Sequence, residues 1–273
     1  PESGFLPYDW RGYNEAMLIY ILALGSLTHP VDSTAWTAWT TGYQWGTFEG
    51  QTYLGFGPLF GHQYSHVWID FRRIQDPYMR AQGIDYFENS RRAAYAQRVY
   101  AIANPSAWEG YGDRLWGLTA SDGPANTTLV LGGQTRQFHT YWARGASFTG
   151  IADDGTIAPT AAGGSIPFAP EIAIPALWAL RGTYGANLFS TYGFLDALNP
   201  TFTASGAAQQ GRVDPQLGWF DTDYLGIDQG PILAMAENYR TGLVWRLLRG
   251  NPYVVHGLCR AGFAGGWLPS PCP

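Results

Sequence analysis

The chain has 273 residues, 16% of them aromatic and 14% charged, with 35 glycines and 18 prolines. That is enough apolar matter for a sizeable core and too little charge for a disordered chain. Sixteen basic residues, all arginine, stand against 21 acidic ones, and the net charge of −5 argues against nucleic acid or an anionic membrane as partner.

Residues 8–25 organise the rest. Tyr8-Asp9-Trp10-Arg11-Gly12-Tyr13-Asn14-Glu15 leads into 16–25, a run apolar on every side. A helix of that kind is surrounded by protein, and about ten residues cannot span a membrane, which takes about twenty. A short helix is expected over 31–41, with Trp36 and Trp39 three apart. Residues 42–61 read as an ordered glycine-rich loop, and 63–74 as a helix. The clearest helix is 85–103, where Asp85 and Glu88 form a D-x-x-E capping box and Asn104-Pro105 closes the element. Residues 105–170 hold no helix, only glycine-rich turns and a hairpin around 134–143. Loops this long are functional or disordered, and the aromatic content favours function. Helices over 170–181 and 230–248 follow, with turns at 193–199 and 218–227. The reading is all-α, with five to seven helices, several of them buried like the inner ring of an α/α barrel. That number is too small to close a twelve-helix toroid alone.

The chain contains seven glutamates. Glycoside cleavage needs two carboxyl groups, one to protonate the leaving oxygen and one to act as base or nucleophile. Glu15 is the first candidate for the acid. The helix dipole would lower its pKa, whereas burial among aromatic groups would raise it. Glu88 is explained by its capping box, yet aromatics and two arginines crowd it. Glu109 lies in an aromatic loop, and Glu237 sits in a helix with Arg240 at i+3 as local partner. Asp122, Asp153, Asp154 and Asp228 are first of all turn or cap residues. His66 suits either a sugar hydroxyl or a satisfied place in the core. Trp10, Trp45, Trp68, Trp108 and Trp116 could stack on sugar rings, although most of the twelve tryptophans belong to the core. No nucleophile elbow, P-loop or dinucleotide fingerprint is present. The five histidines show no metal spacing, and no metal or cofactor is expected. Cys259 and Cys272 suit one small disulfide in an exported protein or two free thiols.

Taken in order, several segments resemble the bacterial glucoamylase-like family, which includes endo-β-1,2-glucanases and is related to the cyclisation region of cyclic β-1,2-glucan synthases. They are Gly12-Tyr13-Asn14-Glu15-Ala16-Met17, Gln63-Tyr64-Ser65-His66-Val67-Trp68-Ile69-Asp70, Asp85-Tyr86-Phe87-Glu88-Asn89-Ser90, Thr119-Ala120-Ser121-Asp122-Gly123-Pro124, Asp154-Gly155-Thr156-Ile157-Ala158-Pro159, Pro167-Phe168-Ala169-Pro170-Glu171 and Gly226-Ile227-Asp228-Gln229-Gly230-Pro231, the last running on to Glu237-Asn238-Tyr239-Arg240. The resemblance covers residues 1 to about 248. It implies an (α/α)6 barrel that hydrolyses β-linked glucan without metal, in the periplasm or outside the cell. Family members carry helices before the segment equivalent to Pro1. The expectation is therefore one domain over 1–273 that lacks its N-terminal helices, completed by a second chain or an unrecorded stretch. In that reading Glu15 is the acid and Glu88 the base or nucleophile. Trp10, Tyr13, His66, Trp68, Glu109, Trp116, Asp122, Asp154, Glu171, Asp228, Glu237 and Arg240 serve the substrate, with β-1,2-glucan favoured. The alternatives are a non-catalytic carbohydrate-binding or assembly subunit and a glucan transglycosylase.

Overall fold

A computed structural model describes Gly4 and residues 10–272; Tyr8 and Asp9 of the expected sugar patch lie outside the described residues. Ten α-helices follow in order: α1 Met17–Leu24, α2 Thr34–Thr40, α3 Tyr64–Trp68, α4 Pro77–Gln82, α5 Tyr86–Ala103, α6 Pro159–Gly163, α7 Pro170–Tyr184, α8 Gly226–Arg240, α9 Leu243–Arg249 and α10 Pro252–Arg260. Between them lie thirteen short strands in six antiparallel sheets of two or three strands. These sheets overturn the all-α expectation and the (α/α)6 barrel with it. The reason is local. Thr127–Leu131 and Gln134–Phe138 form a hairpin whose side chains alternate between outside and inside. Gly132 and Gly133 close it with positive φ at both positions, as a two-residue hairpin turn requires.

The helix ends follow their side chains. Asp85 caps α5 by accepting the Glu88 amide at 2.8 Å, and Asn104 in the left-handed region ends it. Only half of the expected box forms, because the Glu88 carboxylate turns forward to Arg92. Asp76-Pro77 opens α4 and Asn251-Pro252 opens α10 by the same chemistry, although the sequence reading assigned neither helix. The helix expected over 63–74 stops at Trp68, where Ile69 turns extended. The helix expected over 230–248 begins earlier, at Gly226, and is split by Gly242 at φ 69° into α8 and α9.

Helix α1 buries Met17, Ile21 and Leu24 but leaves Ile19 and Leu22 exposed, so it is enclosed on one side only among the described residues. Its end crosses α10 at backbone contact. A Cβ on Gly25 would fall 1.8 Å from the Tyr253 carbonyl oxygen, and one on Gly257 1.9 Å from that of Ile21. Neither carbonyl can withdraw without breaking a helix, so both positions need glycine. Buried amides join the helices on the other flank. Asn238 donates to Val67 O at 2.9 Å and Gln63 to Ala161 O at 2.8 Å, tying α3 to α8 and α6.

Candidate active site

Glu15 stands two residues ahead of α1. Asn14 fixes the approach: its side chain accepts the Ala16 amide at 2.8 Å and donates to Gly12 O at 3.0 Å. Ser65 in α3 donates to Glu15 O at 3.1 Å and accepts the Leu18 amide at 3.0 Å, locking α3 against the start of α1. The Glu15 carboxyl is half-buried, and burial raises its pKa above the ordinary glutamate value. Desolvation outweighs the backbone hydrogen bond that lowers it. Glu15 faces a cleft of about 420 Å³ shared with Tyr64 and Trp68 of α3 and with Ile227 and Pro231 of α8. Trp68 is 46% exposed along it, an open indole face at the level of the acid.

Tyr64 connects the cleft to a cluster of aspartates. Its hydroxyl is raised first by burial and then by the charges of Asp228, Glu15, Tyr141 and Asp196. Asp228 lies in the first turn of α8 and Asp122 at the end of the strand Ala120–Asp122. Asp221 and Asp223 follow the buried strand Gly218–Phe220, and Asp196 lies between the strands Gly193–Phe194 and Leu198–Asn199. The loops are stitched together: the Asp122 amide donates to Asp196 Oδ2 at 2.7 Å, the Asp196 amide to Asp223 O at 3.1 Å, and the Asp221 amide to Ala197 O at 2.9 Å. Burial raises every carboxyl for which a shift is resolved here. Asp221 is pushed up to about 7, by desolvation first and then by neighbouring acids, against the Thr222 amide that lowers it. Asp196 and Asp228 are both raised, again mainly by burial, and Asp122 more weakly. Asp122, Asp221 and Asp223 bring carboxylate oxygens within 4.8 Å of one another, close enough to hold a cation.

The structure brings Glu15, Trp68, Asp122 and Asp228 to this region and sends the other expected site residues elsewhere. Glu88 is paired with Arg92 at 2.9 Å on the outer side of α5 and does not line the cleft. Tyr13 is core, stacked on Tyr86 at 14°, and Trp116 is fully enclosed. His66 packs between Phe71 and Phe168 and meets Ser90 Oγ at 3.1 Å; burial lowers its pKa to about 3, so it is a neutral core residue. Trp10 is exposed and touches the fold through its carbonyl, which accepts from Tyr20. Glu109 is an exposed loop residue whose amide bonds Thr201. Glu171 pairs with Arg91 and Tyr95 at the surface, and Glu237 with Arg240 at 2.8 Å. Asp154 is buried in an ion pair with Arg144, which also holds Ser121 O at 2.7 Å; it braces the strand bearing Asp122. Asp196, Asp221, Asp223 and Tyr64 were not singled out from the sequence. An aspartate inside Phe194-Leu195-Asp196-Ala197-Leu198 carried the missed signal, because a charge in an apolar run is not buried without a purpose.

Comparison with known proteins shows the family. The family model "Glycoamylase: Putative glucoamylase" matches residues 7–252, and the chain belongs to that glucoamylase-like family. It is 30% identical to an exo β-1,2-glucooligosaccharide sophorohydrolase (non-reducing end) of Parabacteroides distasonis, over 90% of this chain and 33% of that protein. It is similar to the solved structure of an endo-β-1,2-glucanase from Chitinophaga pinensis in complex with sophorotriose and glucose, with a TM-score of 0.76 and 31% identity, covering 97% of this chain and 59% of that one. A "putative glucoamylase" from Bacteroides uniformis ATCC 8492 gives a TM-score of 0.75 and 34% identity, covering 95% of this chain and 56% of that one. The chain thus spans a third of the curated relative and somewhat over half of these solved chains.

Proposed function

We propose that this chain carries the catalytic centre of a glycoside hydrolase acting on β-1,2-linked glucan. The observation that carries the reading is Tyr64, which lines the cleft beside Glu15 and whose hydroxyl feels the charges of both Glu15 and Asp228, the latter one residue after the cleft-lining Ile227. Glu15, whose pKa is raised by burial, donates its proton to the glycosidic oxygen. Asp228 takes the place given to Glu88 in the sequence reading and serves as the base that activates water. Trp68 offers the sugar a flat apolar face, and Asp122, Asp221 and Asp223 accept hydroxyl protons. The β-1,2 linkage is taken from the two relatives named for it. A disulfide joins Cys259 to Cys272 and supports a periplasmic or secreted location, where such bonds persist. Among the described residues no helix is long and apolar enough to cross a membrane.

The test is release of reducing ends from β-1,2-, β-1,3- and α-1,4-glucans. Activity on the first alone is expected. Glu15→Gln and Asp228→Asn should each lower turnover by about 10²–10⁴-fold, the usual range for a general acid or base. Glu88→Gln should stay within a few fold of wild type. Wild-type turnover by Glu15→Gln would remove Glu15 from the mechanism, and binding of glucan without release would remove the hydrolase reading.

A further inference from the structure

A second cavity, of about 410 Å³, is lined by Arg72, Arg73, Arg249, Gly266 and Trp267. It shares no residue with the cleft of Glu15, and the hydrolase reading makes no use of it. Its volume is in the range of small-molecule sites. Three of its five lining residues are arginines, in a chain whose net charge is −5. Two of the guanidinium groups are held in place by one buried acid. Asp70 accepts Arg72 Nε on Oδ1 at 2.8 Å and Arg72 Nη2 on Oδ2 at 2.7 Å. Arg249, the last residue of α9, donates through Nη2 to the same Oδ2, so the two arginines converge on one oxygen. Stacking fixes their planes: Arg72 lies 4.3 Å from the ring centroid of Trp245 and Arg249 5.7 Å from that of Trp267, whose Nε1 donates to Asp70 O at 2.7 Å. Burial alone would raise Asp70, but the arginines bring it below the ordinary aspartate value.

The donors are not used up by these contacts. Arg249 Nε is buried and meets no acceptor. The Arg73 amide donates to Asp85 Oδ2 at 2.8 Å with the residue at φ 63°, while its guanidinium makes no hydrogen bond or ion pair among the described residues. Asp85, the other acid that acts on Arg72, is occupied by the amides of Arg73 and Glu88. With Asp70 set against one of three guanidinium groups, positive charge is in excess at the cavity. Guanidinium forks with free N–H groups suit phosphate, which has acceptor oxygens on every side. A carboxylate carries one charge and two oxygens, fewer than three arginines can serve. We propose that Arg72, Arg73 and Arg249 form a phosphate-binding site, which takes an inorganic or esterified phosphate group and leaves the rest of the cavity to the substituent. Asp70 holds Arg72 and Arg249 in register, Arg249 Nε gains its missing acceptor, and Arg73 supplies a guanidinium with no other partner.

The test is titration of the full chain with inorganic phosphate at fixed ionic strength, followed by calorimetry and by melting; it reads binding whether or not the chain hydrolyses glucan. Phosphate should bind once per chain with a Kd below about 1 mM. At about 100 times that Kd it should raise the melting temperature by about 5–10 °C. Chloride and acetate at the same ionic strength should do neither. Arg73→Gln, which removes no side-chain hydrogen bond from the fold, should weaken binding by about tenfold, and Arg249→Gln by about a hundredfold. Arg114→Gln, at an exposed arginine outside the cavity, should bind as wild type does. Glucose 6-phosphate separates the two sources of the group. Tighter binding than inorganic phosphate assigns the remaining cavity to an esterified sugar, equal or weaker binding assigns the site to free phosphate, and either supports the proposal. If melting shows that Arg249→Gln does not fold, Arg73→Gln decides alone. The proposal is overturned by no saturable binding of either phosphate, by acetate binding as tightly, by wild-type affinity in folded Arg73→Gln, or by an equal loss in Arg114→Gln.

Discussion

Two buried acids in this molecule have opposite surroundings. Asp154 is enclosed and would be raised by burial, but Arg144 binds it at 2.6 and 2.7 Å and, with Thr156 and the His139 amide, holds it below the ordinary aspartate value. Asp196, Asp221 and Asp228 are as enclosed as Asp154, have no such arginine among the described residues, and are all raised. A fold that brings an arginine to one acid could do so for the others. Leaving several carboxyls uncompensated costs stability, and the cost is understandable if, as proposed, the acids beside the cleft residue Tyr64 exchange protons or meet hydroxyl groups. Asp154 belongs to the scaffold, and the unpaired acids are those we propose for the site.

The sharpest way to break the contrast is to remove the arginine. Arg144→Met should destabilise the protein by about 3–5 kcal/mol, because it strands Asp154 as a buried anion. Denaturant unfolding measures this, and a loss below about 1 kcal/mol, the size of a surface pair, would place Asp154 with the weak pairs instead. A smaller effect should come from pH. Acids raised in the folded state bind more protons there than when unfolded, so stability is highest at low pH and falls as pH rises through the folded values. For Asp221 the window runs from about 4, the unfolded aspartate value, to about 7. Melting temperature should therefore decline between pH 5 and pH 8, at about 2–4 °C per kcal/mol for a chain of this size, and Asp221→Asn should flatten the decline. A profile rising over that range would contradict the raised acids. The smallest effect belongs to the surface. Glu171→Gln, which breaks a half-exposed pair with Arg91, should change stability by less than about 1 kcal/mol by thermal melting.

What could be read in advance followed from local chemistry. Asp85 and Asn104 bounded α5 because caps act within one turn, and Glu15 drew notice because a carboxylate opens an apolar helix there. The strands between 120 and 155 were largely hidden, since elements of three to five residues carry little periodicity and their partners lie across turns. Glu88 was misplaced as the second carboxylate because its crowd of aromatics and arginines in sequence disperses in space, with Arg92 closing on it one turn along the helix. The true neighbours of Asp228 come from three other loops, at 122, 196 and 221–223, and no spacing in the chain announces that meeting. His66 shows the converse: polar neighbours in sequence gave it a chemical look, and two phenylalanine rings made it part of the core.

The backbone crossing at Gly25 and Gly257 has a practical side. Glu15 opens the very segment whose far end that crossing pins, and Cys272 staples the stretch beyond α10 back onto Cys259. Slackness introduced near residue 257 would reach the segment that Glu15 opens, so the joint between these two glycines shares in holding that carboxyl in place.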